Sequence, residues 1–251
     1  MLIDTHCHLD QPPLLGQLGS LLHEARAVGI SRWLVPSLHP DGWAQLAGLA
    51  HRFTDLRPAY GIHPQFAGNV TDSHLQQLKQ VAPNGVAIGE IGLDTTYGEL
   101  QRQEWLFREQ IRIARHHGLP LLIHCRRAIG KTLTILREEK ADAVGGIMHA
   151  FSGSLESAQQ CIKLGFVLSI CGNITRSNAV RLRQLAHSLP LEHLVVETDA
   201  PDMTPEQYRG HYNRPAWLLE VVAALARIRA CPIATVVTAT TATAQRVIPK
   251  L

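Results

Sequence analysis

Several features that would quickly assign this 251-residue chain to a class are absent. Its five cysteines are odd in number and never spaced as CxxC. That excludes a disulfide framework or a Cys-rich structural zinc module and points to reduced thiols. Aromatic residues make up only 5% of the chain, too few for an extensive stacking platform for single-stranded nucleic acid. The formal charge of +3 does not mark a nucleic-acid binder by composition, so any affinity for phosphate must come from local placement of charge. No uninterrupted apolar run approaches the roughly 18 residues of a membrane span, and no membrane partner is expected. The opening MLIDTHCHLD has neither a basic n-region nor an apolar h-region, so no signal peptide is expected and a cytoplasmic location is. No repeat, low-complexity tract or Gly/Ser-rich linker marks a boundary, which makes residues 1–251 one expected domain.

What is present is an alternation of short apolar runs with helical patterns. Strands are expected at Leu2–His6, Arg32–Pro36, Arg57–Gly61, Val86–Glu90, Leu121–His124, Gly146–His149, Phe166–Ile170 and Leu194–Thr198. They are rich in Val, Ile and Leu, as parallel strands buried on both faces should be. The clearest helical spacing runs from about Gln101 to His117, where Phe107, Ile111 and Ala114 share a face and Gly118 and Pro120 close the segment. Similar patterns cover roughly Leu14–Val28, Leu75–Val81, Ala128–Glu139, Leu155–Leu164, Ala179–Ser188 and Ala216–Arg229. About eight strand–helix units in this length predict an α/β fold, a TIM-like (β/α)8 barrel, over an open doubly wound sheet. No GxGxxG or GxxxxGK[ST] follows any strand, which removes the commonest nucleotide-binding alternatives.

Fourteen histidines are the unusual feature of the composition. His6, Glu90, His124 and His149 each end an expected strand, Asp199 follows the eighth, and His8 and His63 sit just past strand ends. In a barrel all strand C-termini open on one face, so six distant segments deliver polar side chains to one mouth. Along the extended stretch Asp4-Thr5-His6-Cys7-His8, residues i and i+2 share a face, so both imidazoles can reach one ion while Cys7 points away. The same parity argues against Cys125 as a ligand. Imidazole plus carboxylate without thiolate suits divalent ions, with zinc favoured and manganese, cobalt, nickel or magnesium as alternatives. His6, His8, Glu90, His124, His149 and Asp199 are too many for one tetrahedral ion with an open position. They suit two ions: His6, His8 and Asp199 on one, His124 and His149 on the other, and Glu90 bridging. Such a site lowers the pKa of bound water to about 7 and supplies a hydroxide nucleophile at neutral pH, with Asp199 placed to take the proton. Asp199 and Glu90 are therefore the expected catalytic carboxylates.

Around that set, His63 is a candidate to hold a substrate oxygen or protonate a leaving group. Arg126, two residues past His124, offers a planar fork for phosphate or carboxylate. Arg127, Lys131, Arg176, Arg209 and Arg214 fall near loops of the same face and are candidates for a basic rim. Glu197, two residues before Asp199, faces the same side and is expected to order the site from behind the ligands.

The chain resembles the TatD family of metal-dependent deoxyribonucleases, within the amidohydrolase-like superfamily, and is most similar to its bacterial YjjV branch. The resemblance rests on Asp4-Thr5-His6-Cys7-His8-Leu9-Asp10, Gly61-Ile62-His63-Pro64, Gly89-Glu90-Ile91-Gly92-Leu93-Asp94, Leu122-Ile123-His124-Cys125-Arg126, His149-Ala150-Phe151-Ser152-Gly153 and Glu197-Thr198-Asp199-Ala200-Pro201, in the family's order across nearly the whole chain. It implies a TIM-like barrel, one to three divalent ions, hydrolysis of phosphodiesters, typically DNA, the same six ligands, and a phosphate contact for His63. The chain departs from the family near its end, where Thr240-Thr241-Ala242-Thr243-Ala244-Gln245 lacks the usual asparagine and Ile248-Pro249 replaces an apolar-aromatic close. The leading expectation is thus a phosphodiesterase acting on DNA, exonuclease-like and 3′-to-5′, with the oligomeric state left open. Hydrolysis of small esters, lactones or amides on the same site is the alternative, since a fold and a metal site do not fix the scissile bond. The absence of a lysine ending the fourth strand removes the carbamate-bridged arrangement of many amidases. A catalytically idle metal-binding scaffold would require missing ligands, and none is missing.

Overall fold

Short runs of Val, Ile and Leu without polar alternation are stable as strands only where both faces are covered. A computed structural model describing residues 1–251 places them so. Eight parallel strands lie in sequential order: β1 (Leu2–Asp4), β2 (Ile30–Pro36), β3 (Leu56–Tyr60), β4 (Ala87–Asp94), β5 (Leu121–Arg126), β6 (Gly146–Met148), β7 (Phe166–Ile170) and β8 (Leu194–Val196). The helices between and after them are α1 (Leu18–Ala27), α2 (Trp43–Arg52), α3 (Asp72–Val81), α4 (Leu100–His117), α5 (Ile129–Glu138), α6 (Leu155–Lys163), α7 (Val180–Ser188), α8 (Leu218–Arg229) and α9 (Ile233–Val247). The result is the expected TIM-like (β/α)8 barrel.

The barrel closes between β1 and β8 by a mixed seam rather than a ladder. Thr5 N–H donates to the Val196 carbonyl (3.1 Å), and Asp199 N–H donates to the His6 carbonyl (2.9 Å). Between them the buried Asp4 carboxylate accepts from Thr198 N–H (2.9 Å) and from the Thr198 hydroxyl (2.6 Å). This explains why β1 stops at Asp4 and β8 at Val196, short of the expected His6 and Thr198. Side-chain acceptors take over where the ladder ends.

Inside the barrel every strand contributes to one apolar layer, including Ile3, Leu34, Leu122, Ile147, Val167 and Val195. Ala244 and Ile248, at the end of α9, pack on that layer and close its lower side. The main core lies between the strands and the helices, with Trp33, Phe107 and Phe166 fully buried. No single helix is long and apolar enough to cross a membrane.

Two helices, α2 and α9, lie outside the expected segments. Glycine interrupts the first, and eight of fifteen positions in the second are Thr or Val, which lowers helix propensity. Packing overrides that propensity, since Val236, Thr240, Thr243 and Ala244 form one buried face at helical spacing. The start expected at Leu14 is a 3-10 turn over Leu15–Gln17, with α1 beginning at Leu18. Strand β4 runs four residues past its expected end at Glu90. It can do so because Gly92, at φ 144°, pairs with His124 where a Cβ would stand 1.9 Å from the His124 carbonyl.

Candidate metal centre

The register of β4 against β5 shifts between Ile88 and Ile91, a bulge that contains Glu90. Bulges re-aim side chains, and here the Glu90 carboxylate sits at the centre of the barrel mouth, 2% exposed. Its two oxygens face different histidines. Oε2 lies 3.3 Å from His6 Nε2 and 3.5 Å from His8 Nε2. Oε1 lies 2.8 Å from His124 Nδ1, 3.7 Å from His63 Nε2 and 3.8 Å from His149 Nε2. Asp199 spans the other side, with Oδ1 3.9 Å from His6 and 3.7 Å from His8, and Oδ2 3.7 Å from His149. All six residues expected as ligands are therefore brought together. Cys7 is buried away from them, its Sγ 3.9 Å from the Ala200 carbonyl, and Cys125 Sγ turns to the Thr132 hydroxyl at 3.4 Å.

Two carboxylates stand behind the imidazoles. Glu197 Oε1 lies 2.9 Å from His149 Nδ1 and also accepts from Ala150 N–H (2.8 Å). Asp94 Oδ2 lies 3.0 Å from His124 Nε2. Its Oδ1 accepts from Thr96 N–H (2.9 Å) and the Thr96 hydroxyl (2.6 Å), while buried Gln103 bonds both backbone groups of Asp94. Glu197 was expected in this place. Asp94 was missed, although the i+4 spacing from Glu90 at the end of the same strand marks its even parity. A ring proton directed at Asp94 from His124 Nε2, or at Glu197 from His149 Nδ1, would leave His124 Nδ1 and His149 Nε2 as the atoms offered to a cation.

Electrostatics set the condition for this crowding. Burial raises the Asp199 carboxyl well above its ordinary value, with the Glu197 and Glu90 charges adding to the effect against His149. Burial opposes ionisation of Glu90 too, but His6, His63 and His124 outweigh it and hold the carboxyl well below its usual range. Burial and repulsion from His149 push His6 down to about 4. Burial also disfavours protonated His149, yet Glu197 and Asp199 overcome it and lift that ring to about 10. Three overlapping groups have ligand atoms within 4.8 Å of one another: His6, His149 and Asp199; His6, His8 and Glu90; His63, Glu90 and His124. Imidazoles backed by carboxylates, with Glu90, Asp94, Glu197 and Asp199 to neutralise, fit divalent cations, which would take the place of the proton that His149 otherwise holds.

Above this cluster is a cavity of about 670 Å³ lined mostly by polar residues. His63 and Arg126 both line it, as does Tyr97, which is 49% exposed. Arg126 has no carboxylate partner, whereas Lys131, Arg176, Arg209 and Arg214 have Glu104, Glu206, Glu206 and Glu24 within 4.0 Å. None of these four, nor Arg127, lines the cavity, so the wider basic rim does not form.

Barrel and donor set define the class, a metal-dependent hydrolase with its site at the strand C-termini. The sequence profile of the family described as TatD related DNase matches residues 3–249, and the chain belongs to that family. It is 36% identical over 237 residues, covering 92% of this chain and 91% of the relative, to the uncharacterized metal-dependent hydrolase YjjV of Escherichia coli K12. It is 34% identical over 250 residues, 98% of each chain, to the uncharacterized metal-dependent hydrolase YabD of Bacillus subtilis 168. The crystal structure of Escherichia coli YjjV superposes with a TM-score of 0.93 over 99% of this chain and 98% of that one, at 34% identity. A TatD family hydrolase from Entamoeba histolytica shares the fold, with a TM-score of 0.86 at 19% identity, over 98% of this chain and 97% of that one.

Proposed function

We propose that the protein is a divalent-metal-dependent phosphodiesterase acting on DNA, exonuclease-like and 3′-to-5′, with two ions held by His6, His8, Glu90, His124, His149 and Asp199. The observation that carries the reading is the pairing of that donor set with an unpaired arginine and a neutral histidine on one cavity wall. Bound ions would supply Lewis-acid charge and activate water. The chain's own residues do the rest. Burial holds His63 neutral, at about 3, and its Nδ1 accepts from Gln65 N–H at 3.2 Å. The remaining proton therefore sits on Nε2, the nitrogen facing Glu90 and the cavity, where it can form a hydrogen bond to a phosphate oxygen. The Arg126 fork supplies fixed positive charge for the phosphate that small esters and lactones lack. Asp199, whose carboxylate faces the mouth beside His6, His8 and His149, is placed to accept a proton during attack. Tyr97 gives one exposed ring at the mouth for a base, consistent with a short single-stranded end rather than a long stacking platform.

The test is hydrolysis by metal-reconstituted protein across single- and double-stranded DNA, RNA, bis-p-nitrophenyl phosphate and simple lactones. DNA ends and the phosphodiester should be cleaved, chelator should abolish the activity, and zinc, manganese or cobalt should restore it. Arg126→Ala and His63→Ala should slow phosphodiester cleavage at near-normal metal content. Turnover of lactones alone, or full activity in demonstrably metal-free protein, overturns the proposal.

A further inference from the structure

At the opposite end of the barrel, where β2 and β3 begin and α1 and α2 end, four arginines line one cavity of about 360 Å³. Arg26 and Arg52 come from the last turns of α1 and α2, while Arg32 and Arg57 come from β2 and β3. The one carboxylate in the lining is Asp55, and Arg26 already occupies its Oδ2 through Nε and Nη2, both at 2.7 Å.

Helix ends account for two of these cations. A C-terminus carries about half a negative charge and attracts Arg, so Arg26 and Arg52 are well placed without any ligand. Arg32 and Arg57 have no such reason. Arg57 Nη1 donates only to the neutral Thr54 and Leu56 carbonyls, at 2.6 and 3.1 Å. Arg32 reaches nothing better than Met1 Sδ at 3.9 Å, and its Nε is buried without an acceptor. Burial and then Arg32 both push the Arg57 guanidinium below its ordinary pKa, as two like charges at close quarters must. Setting four guanidiniums against Asp55 and two helix ends leaves an excess of about two positive charges. A fold gains nothing from holding uncompensated like charges together, whereas a dianion with several acceptor oxygens would neutralise the excess and engage the free guanidinium edges.

We propose that this pocket binds phosphate, free or as the terminal group of a phosphomonoester, at a site separate from the metal centre. The test is calorimetric titration of the metal-loaded protein with inorganic phosphate at constant ionic strength, together with Tm, on wild type, Arg32→Gln and Arg57→Gln. Wild type should gain about 3–5 °C at ten times Kd, and each variant should bind at least tenfold more weakly at this site. Without phosphate, Arg57→Gln should melt at the same or a higher temperature than wild type, because a repulsion is removed, and both variants should hydrolyse bis-p-nitrophenyl phosphate normally. A nucleoside 5′-monophosphate bound as tightly as inorganic phosphate identifies the terminal group as the ligand, and weaker binding identifies free phosphate. Identical isotherms for all three proteins would place phosphate at the metal centre alone and overturn the proposal. So would a lower anion-free Tm for Arg57→Gln, which would make the arginines structural fixtures.

Discussion

Replacing Glu90 by glutamine keeps the shape of the side chain and removes its charge at the point where both histidine sets meet. Oε2 is within 3.5 Å of His6 and His8 Nε2, and Oε1 within 3.8 Å of His124, His63 and His149. A cation held by either set is therefore about 4 Å or less from that carboxylate. A unit charge pair at 4 Å and an effective dielectric near 20 is worth about 4 kcal/mol. If the amide dipole recovers half, the loss is about 2 kcal/mol, or roughly 30-fold in affinity for each ion. Mutual repulsion of two cations, no longer screened by a shared anion, adds to this for whichever is held less well. Asp199 Oδ1 still faces His6 and His8, whereas the second carboxylate beside His124 is Asp94, already committed to Nε2. The ion on the His124 side should be lost first. The assay is metal stoichiometry by elemental spectrometry after dialysis at buffered free zinc, with phosphodiester hydrolysis measured on the same samples. A fall from two ions to about one, with activity lost in parallel, is expected. Unchanged stoichiometry and unchanged hydrolysis would refute the bridging role.

Asp94→Asn should act at longer range. Its amide oxygen keeps the two Thr96 bonds, so the NH2 faces His124 Nε2 and forces the ring proton onto Nδ1, the nitrogen turned to Glu90. Zinc affinity should fall about 10–100-fold with Tm of the metal-free protein little changed, and equal zinc occupancy at limiting free metal would count against the tautomer argument. Asp4→Ala strips two acceptor bonds from the buried β1–β8 seam, for about 3 kcal/mol or a Tm drop of roughly 6–12 °C, while Asp4→Asn keeps one acceptor and should cost about 1 kcal/mol. Equal Tm values for the two variants would mean the seam is held by the backbone alone. Away from the site, burial would raise the Glu139 carboxyl, but Arg112 and Arg108 outweigh it and hold it below its ordinary 4.5. The native state then binds fewer protons than the unfolded chain. The bridge therefore stabilises above about pH 4.5 and is lost as pH falls through the lowered native value. The Tm gap between wild type and Glu139→Gln, about 2–4 °C at pH 7, should close as the pH falls below the ordinary 4.5 and through the lowered native value, and a gap constant with pH would show that the charge is not what matters.

The barrel and the convergence of the candidate ligands were largely legible in the order of residues, because both follow from local periodicity. Unalternated Val/Ile/Leu runs separated by helical spacing imply buried parallel strands, and in a parallel barrel every strand end is on one face. That alone brings His6, His8, Glu90, His124, His149 and Asp199 together, and the parity of His-x-His turns both rings the same way and Cys7 away. What needed the tertiary structure depends on distances between segments remote in sequence. Glu90 lies inside β4 rather than at its end, and only the bulge against β5 aims its carboxylate between the two histidine groups. Asp94 braces His124 because Gly92 lets β4 continue to it. The basic rim expected from five residues dissolves because three of them meet glutamates from other loops and helices and Arg209 meets Glu206 in its own turn, leaving Arg126 alone in the cavity. Conversely, Arg26, Arg32, Arg52 and Arg57 are unremarkable along the chain and gather only because two helices end where two strands begin. Periodicity decides which way a side chain points. Which charges meet is decided by the packing of elements that the sequence does not place side by side.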